Sequence, residues 1–91
     1  MVDDAVERLV EVVDGHEALL EYRIVGDRLV IDHVETPAAL EGHGVAGQLV
    51  RRAVTMARDQ GLTVVPRCPF ARRWLSTHPE ERTDVTIDWS R

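Results

Sequence analysis

At 91 residues, with 44% hydrophobic and 30% charged side chains, the chain has the size of one small core, which excludes a large two-domain enzyme and predicts a single domain over residues 1–91. A formal net charge of −5 argues against nucleic acid as the default partner, because phosphate backbones are held chiefly by clustered lysine and arginine. No apolar run approaches the roughly 20 residues that a membrane-spanning helix needs, the lone Cys68 leaves no intramolecular disulfide, and the first ten residues lack a basic-then-apolar leader; a cytoplasmic protein without a membrane partner is expected.

The average charge hides an asymmetry. Residues 1–41 hold 11 acids against 3 arginines, whereas residues 42–79 hold one acid, Asp59, against Arg51, Arg52, Arg58, Arg67, Arg72 and Arg73. Such a basic segment either holds a small polyanion or forms solvated helix faces. All 11 basic side chains are arginine, so the chain contains no lysine amine of its own.

Three runs enriched in branched apolar residues come first, Arg8 to Val13, Ala18 to Val25 and Leu29 to Val34, separated by Asp14-Gly15 and Gly26-Asp27. Those dipeptides tolerate the positive φ of tight turns, and the runs are too short for separate helices, so an antiparallel meander is predicted. The first run also fits a helical stripe through Val6, Leu9, Val10 and Val13; strand is the preferred reading. Strict alternation along the third strand puts Leu29, Ile31, His33 and Glu35 on one face and Val30, Asp32 and Val34 on the other. Thr36-Pro37 ends the pattern.

From Val45 to Arg58 the apolar positions Ala46, Leu49, Val50, Ala53, Val54 and Ala57 recur at helical spacing, with Gly61 as the stop. Leu62 to Val65 reads as a short buried strand ending at Pro66, so strand, helix and strand form a parallel unit with a crevice beyond the strand ends. Phe70 to Thr77 is predicted as a second short helix, and Asp84 to Trp89 as an edge strand. The fold class is α/β (α+β): a meander joined to a parallel β-α-β unit and a short C-terminal helix.

The entrance to the long helix reads Leu40-Glu41-Gly42-His43-Gly44-Val45-Ala46-Gly47. Small residues there let backbone amides approach a ligand, and the first amides of a helix lack intrahelical acceptors and favour negative charge. Phosphate binding and tight helix packing both explain such a turn. It is neither a P-loop nor a complete GxGxxG fingerprint.

This segment resembles the Arg/Gln-x-x-Gly-x-Gly/Ala pyrophosphate motif of the GNAT N-acetyltransferases, matching at Gly44 and Ala46 and departing at Glu41. With the stretches Leu29 to Glu35, Gly61 to Phe70 and His78-Pro79-Glu80, the chain resembles the short, YjdJ-type branch of that superfamily, a match that runs from about Val13 to Glu81. It implies a small GNAT-like fold that takes acetyl-CoA as cosubstrate, without a metal, between the strands Leu29 to Glu35 and Leu62 to Val65. The implied cofactor contacts are Val34 and the amides of Gly42, His43, Gly44, Val45, Ala46 and Gly47, with Arg51, Arg52, Arg72 or Arg73 meeting the remaining phosphate.

Acetyl transfer to an amine requires removal of the ammonium proton, and His33 and Glu35 at the strand end are the candidate bases. The alternative is that His33 satisfies a neighbouring polar group and Glu35 is a solvated surface residue. Cys68, which the resemblance places near the CoA sulfur, reads either as a transient acetyl acceptor or as a small pocket-shaping side chain. The second helix lacks the phenol that larger relatives use as general acid. The expected activity is N-acetyl transfer to a small-molecule or protein amine, with a noncatalytic acyl-CoA-binding sensor or protein-interaction module on the same fold as the alternative. No oligomeric state is set, and a monomer is compatible with the sequence.

Overall fold

A two-residue turn starts the sheet. In a computed structural model, which describes residues 5–90, Asp14 and Gly15 adopt φ of 51° and 79°, the paired left-handed geometry of a type I′ hairpin. Strand β1 (Glu7–Val13) thereby folds onto β2 (His16–Val25), with Val13 opposite His16. A second turn at Gly26-Asp27 sends β3 (Arg28–Glu35) back along β2. The first run is therefore a strand, and its Leu9 and Val13 pack against the core.

Helix α1 (Val45–Gln60) crosses to β4 (Thr63–Pro66), which pairs parallel with β3 from Arg28 opposite Thr63 to Ile31 opposite Pro66. The sheet order is β1-β2-β3-β4. Leu49, Val50, Ala53, Val54 and Ala57 of α1 are buried with Ala18, Leu20, Tyr22, Leu29 and Ile31 of the sheet. Each fully buried leucine in that layer is worth about 1.5–3 kcal/mol relative to exposure. Gly61 closes α1 at φ 71°, its N–H reaching Arg58 O at 3.3 Å while the Leu62 N–H reaches Ala57 O at 2.8 Å. Helix α2 (Pro69–Thr77) opens on proline, whose missing N–H costs nothing in a first turn, and it buries Ala71 and Leu75.

One expectation about β3 is overturned. Tyr22 faces Ile31 but Glu21 faces His33, so Asp32 is an extra, bulged residue. The bulge inverts the alternation beyond it. Leu29 and Ile31 face α1 as expected, but Val34, opposite Leu20, takes that face at the strand end. His33 and Glu35 turn instead to the helix-free face with Glu21 and Leu19. Asp32 is held there by Arg23, whose Nε and Nη2 donate to its two oxygens at 2.6 and 2.9 Å.

The tail forms less strand than the 84–89 expectation. Val64 N–H donates to Thr86 O at 2.9 Å and Asp88 N–H to Val64 O at 2.8 Å, giving a single parallel bridge between Val64 and Ile87. The next donor along that edge would be the N–H of residue 66, which is proline and has none. Asp88 adds an ion pair with Arg28. The Ser90 side chain and backbone N–H, with Arg28 beside them, lower the Asp88 pKa from 3.8 to about 2. A pKa lowered by folding means that Asp88's contribution is complete above about pH 4 and lost as the pH falls through about 2. The Asp88 carboxyl carbon should titrate near pH 2 by NMR, and Asp88→Asn should increase hydrogen exchange at the residue-88 amide at neutral pH without altering the β1 to β3 amides.

Candidate functional site

The β3–β4 pairing ends abruptly. The N–H groups of Arg67 and Cys68 both donate to Ile31 O, at 3.0 and 3.2 Å, and the chain then turns into α2. Strand β3 continues through Glu35 with no β4 residue opposite it. A cavity of about 660 Å³ fills the resulting gap. Val34 and Glu35 line it from β3, Glu41 and Gly42 from the connecting turn, residues 44–47 from the α1 entrance, and Phe70 and Trp74 from α2.

At the α1 entrance, Gly44 is the N-cap with φ 77° and no side-chain capping bond, and Gly42 has φ 82°. The first backbone bond of the helix runs from Gln48 N–H to Gly44 O at 3.1 Å, so the amides of Val45, Ala46 and Gly47 precede the helical ladder. A side chain at Gly42 or Gly44 would meet nothing within 4 Å, so backbone conformation, not crowding, selects glycine there. That open space beside uncapped amides is what a phosphate group requires. Gly44→Ala should cost about 1–2 kcal/mol in thermal or denaturant unfolding, since an L-residue resists φ 77°. Gly44→Asn should cost less, because asparagine tolerates that region.

Gly47 is constrained differently. A Cβ there would overlap Nε1 of Trp74 and lie 3.1 Å from its Cε2, so the absent side chain is what lets α2 close against α1. The indole stacks on His78 with centroids 4.2 Å apart and planes 16° apart, and the Arg51 guanidinium sits 5.6 Å from its centroid. Arg51 is held in turn by Glu81, Nε to Oε2 at 3.0 Å. The apolar wall of the cavity is thus fixed from three sides.

The structure brings Val34, Glu35, Gly42, Gly44, Val45, Ala46 and Gly47 around one cavity. Arg51 flanks it through Trp74. His33 lies on the helix-free face, with Nε2 3.4 Å from Glu35 Oε1, so the two candidate bases touch although only Glu35 reaches the cavity. His43 is exposed and its N–H bonds to Leu40 O at 3.3 Å. Arg52 donates to Val10 O and to Glu11, and Arg72 donates to Pro66 O at 3.5 Å. Cys68 is 7% exposed, caps the start of α2 and belongs to the core cluster. Tyr22, the chain's one tyrosine, lies in the core, where burial and then Glu7 raise its pKa. Phe70 and Trp74 of α2, not among the candidate site residues from sequence, form the cavity wall. Their four-residue spacing puts both on one side of α2, a signal present in the sequence.

A family model described as GCN5-related N-acetyl-transferase matches residues 8–85. The chain belongs to this family. Among curated proteins, Protein NATD1 of Gallus gallus and Protein NATD1 of Mus musculus are each 30% identical over 63 residues, covering 68% of this chain and 57% of theirs. The chain therefore spans little more than half the length of these relatives. Membership of this family implies acyl-CoA as the candidate ligand class. The cleft is bounded by the end of β3, the uncapped entrance of α1 and the Phe70–Trp74 side of α2; no β4 residue lines it, although the resemblance sets the ligand between β3 and β4. No helix among the described residues is long and apolar enough to cross a membrane.

Proposed function

We propose that this GCN5-related domain transfers the acetyl group of acetyl-CoA to an amine. The observation that carries the reading is the cavity beyond the last β3–β4 bond, with Glu35 at one wall and the uncapped entrance of α1 at another. Acetyl-CoA, when bound, supplies an activated thioester. The amides of Val45, Ala46 and Gly47, with Gly42 and Gly44 giving close approach, hold the pyrophosphate, and the helix dipole adds about 0.3–1 kcal/mol for an anion there. Glu41, at the rim, opposes an anion, so the backbone does this binding and Arg51, beside Trp74, contributes positive charge. Arg72 and Arg52 are farther candidates for the remaining phosphate. Val34 and the unpaired edge of β3 align the rest of the ligand.

The acceptor arrives as an ammonium with a pKa near 10.4 for a lysine side chain, so its proton must leave before attack. Glu35 accepts that proton, directly or through water, and His33 at 3.4 Å passes it to solvent on the helix-free face. Phe70 and Trp74 keep water from the cavity wall. Transfer is direct, with Cys68 as a packing side chain: it sits in the core cluster, and a thioester needs no second covalent step.

One observation favours a second reading, an acyl-CoA sensor without turnover. The titratable residues on the cavity wall are Glu35 and Glu41, and the wall formed by α2 offers no phenol to the departing thiolate. Titration with CoA and acetyl-CoA, followed at the amides of residues 42–47, should shift those signals saturably. Release of free thiol in the presence of amines then separates the readings. Binding without amine-dependent thiol release would leave the sensor, and no binding would remove both.

A further inference from the structure

The bulge at Asp32 places the two candidate bases on the side of the sheet that no helix covers, while the cavity lies on the other side. Glu35 belongs to both, lining the cavity and touching His33. An amine that is to meet Glu35 can therefore come across the open face. Around His33 and Glu35 that face consists of Leu19 and Glu21 of β2 and, beyond them, Val10, Val12 and Glu17. Val10 and Val12 are 39% and 62% exposed. Glu21 is neutralised by Arg8 at 3.0 Å, but Glu17 has no cationic partner among the described residues, and Glu35 has only His33.

This patch is a pleated strand surface, and the hollow on the same face lies at the opposite end, around Arg23, Arg28 and Arg67. A small amine is normally held in a concave site that buries most of it. A broad surface that combines exposed apolar residues with unbalanced negative charge fits a macromolecular partner of opposite sign. The free edge of β1 is not the seat: Arg52 reaches across from α1 to donate to Val10 O at 3.0 Å, occupying an edge carbonyl. We infer that the acceptor is a polypeptide amine, carried by a segment with basic and apolar residues that docks on the helix-free face around Val10, Val12, Glu17 and Leu19. The inference rests on the acetyl-transfer reading for its chemistry, but the docking is measurable without turnover.

The test is titration of the CoA-saturated, isotope-labelled protein with a short N-blocked peptide carrying one lysine between leucine and arginine residues. Saturable shifts are expected at Val10, Val12, Leu19 and His33, and Glu17→Lys and Val12→Ser should each weaken peptide binding about three- to tenfold at low salt. Acetyl-CoA affinity should be unchanged in both variants. The peptide should also exceed n-butylamine in kcat/KM for thiol release. Transfer to n-butylamine without peptide-induced shifts on this face would overturn the docking inference and leave acetyl transfer standing. Peptide shifts without thiol release would overturn acetyl transfer and leave the docking surface. Shifts insensitive to both substitutions would also overturn the surface.

Discussion

Glu35→Gln should lower acetyl transfer by about a hundredfold or more, the usual contribution of a positioned general base. Glutamine keeps the size and polarity of the side chain but cannot take a proton, so acetyl-CoA affinity should stay within about twofold, the scale of a neutral surface change. Steady-state kinetics and cofactor titration on the same preparation make the comparison. His33→Gln should be milder, because His33 reaches the cavity only through Glu35. It should leave the maximum rate at high pH nearly intact and slow the reaction most at neutral pH, where proton export matters. Equal activity of wild type and Glu35→Gln across the pH range would remove Glu35 from the chemistry.

Gly47→Ala should destabilise the domain by about 1–3 kcal/mol, the cost of forcing a methyl into a packed site. Helix propensity alone predicts the opposite sign, since alanine inside a helix is favoured over glycine by about 0.8–1.0 kcal/mol. Packing wins because the added carbon would overlap the indole nitrogen of Trp74, and the indole is held by His78 and Arg51. Trp74→Phe in the Gly47→Ala background should recover part of the loss, giving a coupling energy in a double-mutant cycle by urea unfolding. The same pair should couple in acetyl-CoA affinity, since Gly47 and Trp74 are both walls of the cavity. Additive effects would mean that the two helices adjust independently, contrary to the contact seen here.

Local patterns carried most of the architecture. The Asp14-Gly15 and Gly26-Asp27 dipeptides mark turns because their residues tolerate positive φ, and each proved to be a strand connection. The stripe from Ala46 to Ala57 marks a helix with one buried face, and Gly61 marks its end. The glycine turn at 42–47 was legible as either a phosphate site or a tight packing point: its residues other than His43 line the cavity, and Gly47 also packs against Trp74.

Other features depended on pairing between distant segments. A strand read alone alternates strictly, so nothing within Leu29 to Glu35 marks Asp32 as the extra residue. It becomes one only when Glu21 and Tyr22 of β2 fix the register, which is why His33 and Glu35 were assigned to the wrong face. The tail shows the same dependence, since its strand-like residues gain a single bridge on an edge where Pro66 withholds a donor. Gly47 resembles any small helix residue until α2 brings Trp74 against it.

The order of residues by itself determined which elements form, because turn dihedrals, helix stripes and stops act over a few neighbours. Which side of the sheet each candidate base faces, and which side chains wall the cleft, was decided only in the folded chain. Strand register and helix contact are set by residues far apart in sequence, and one bulged position reverses every side chain after it.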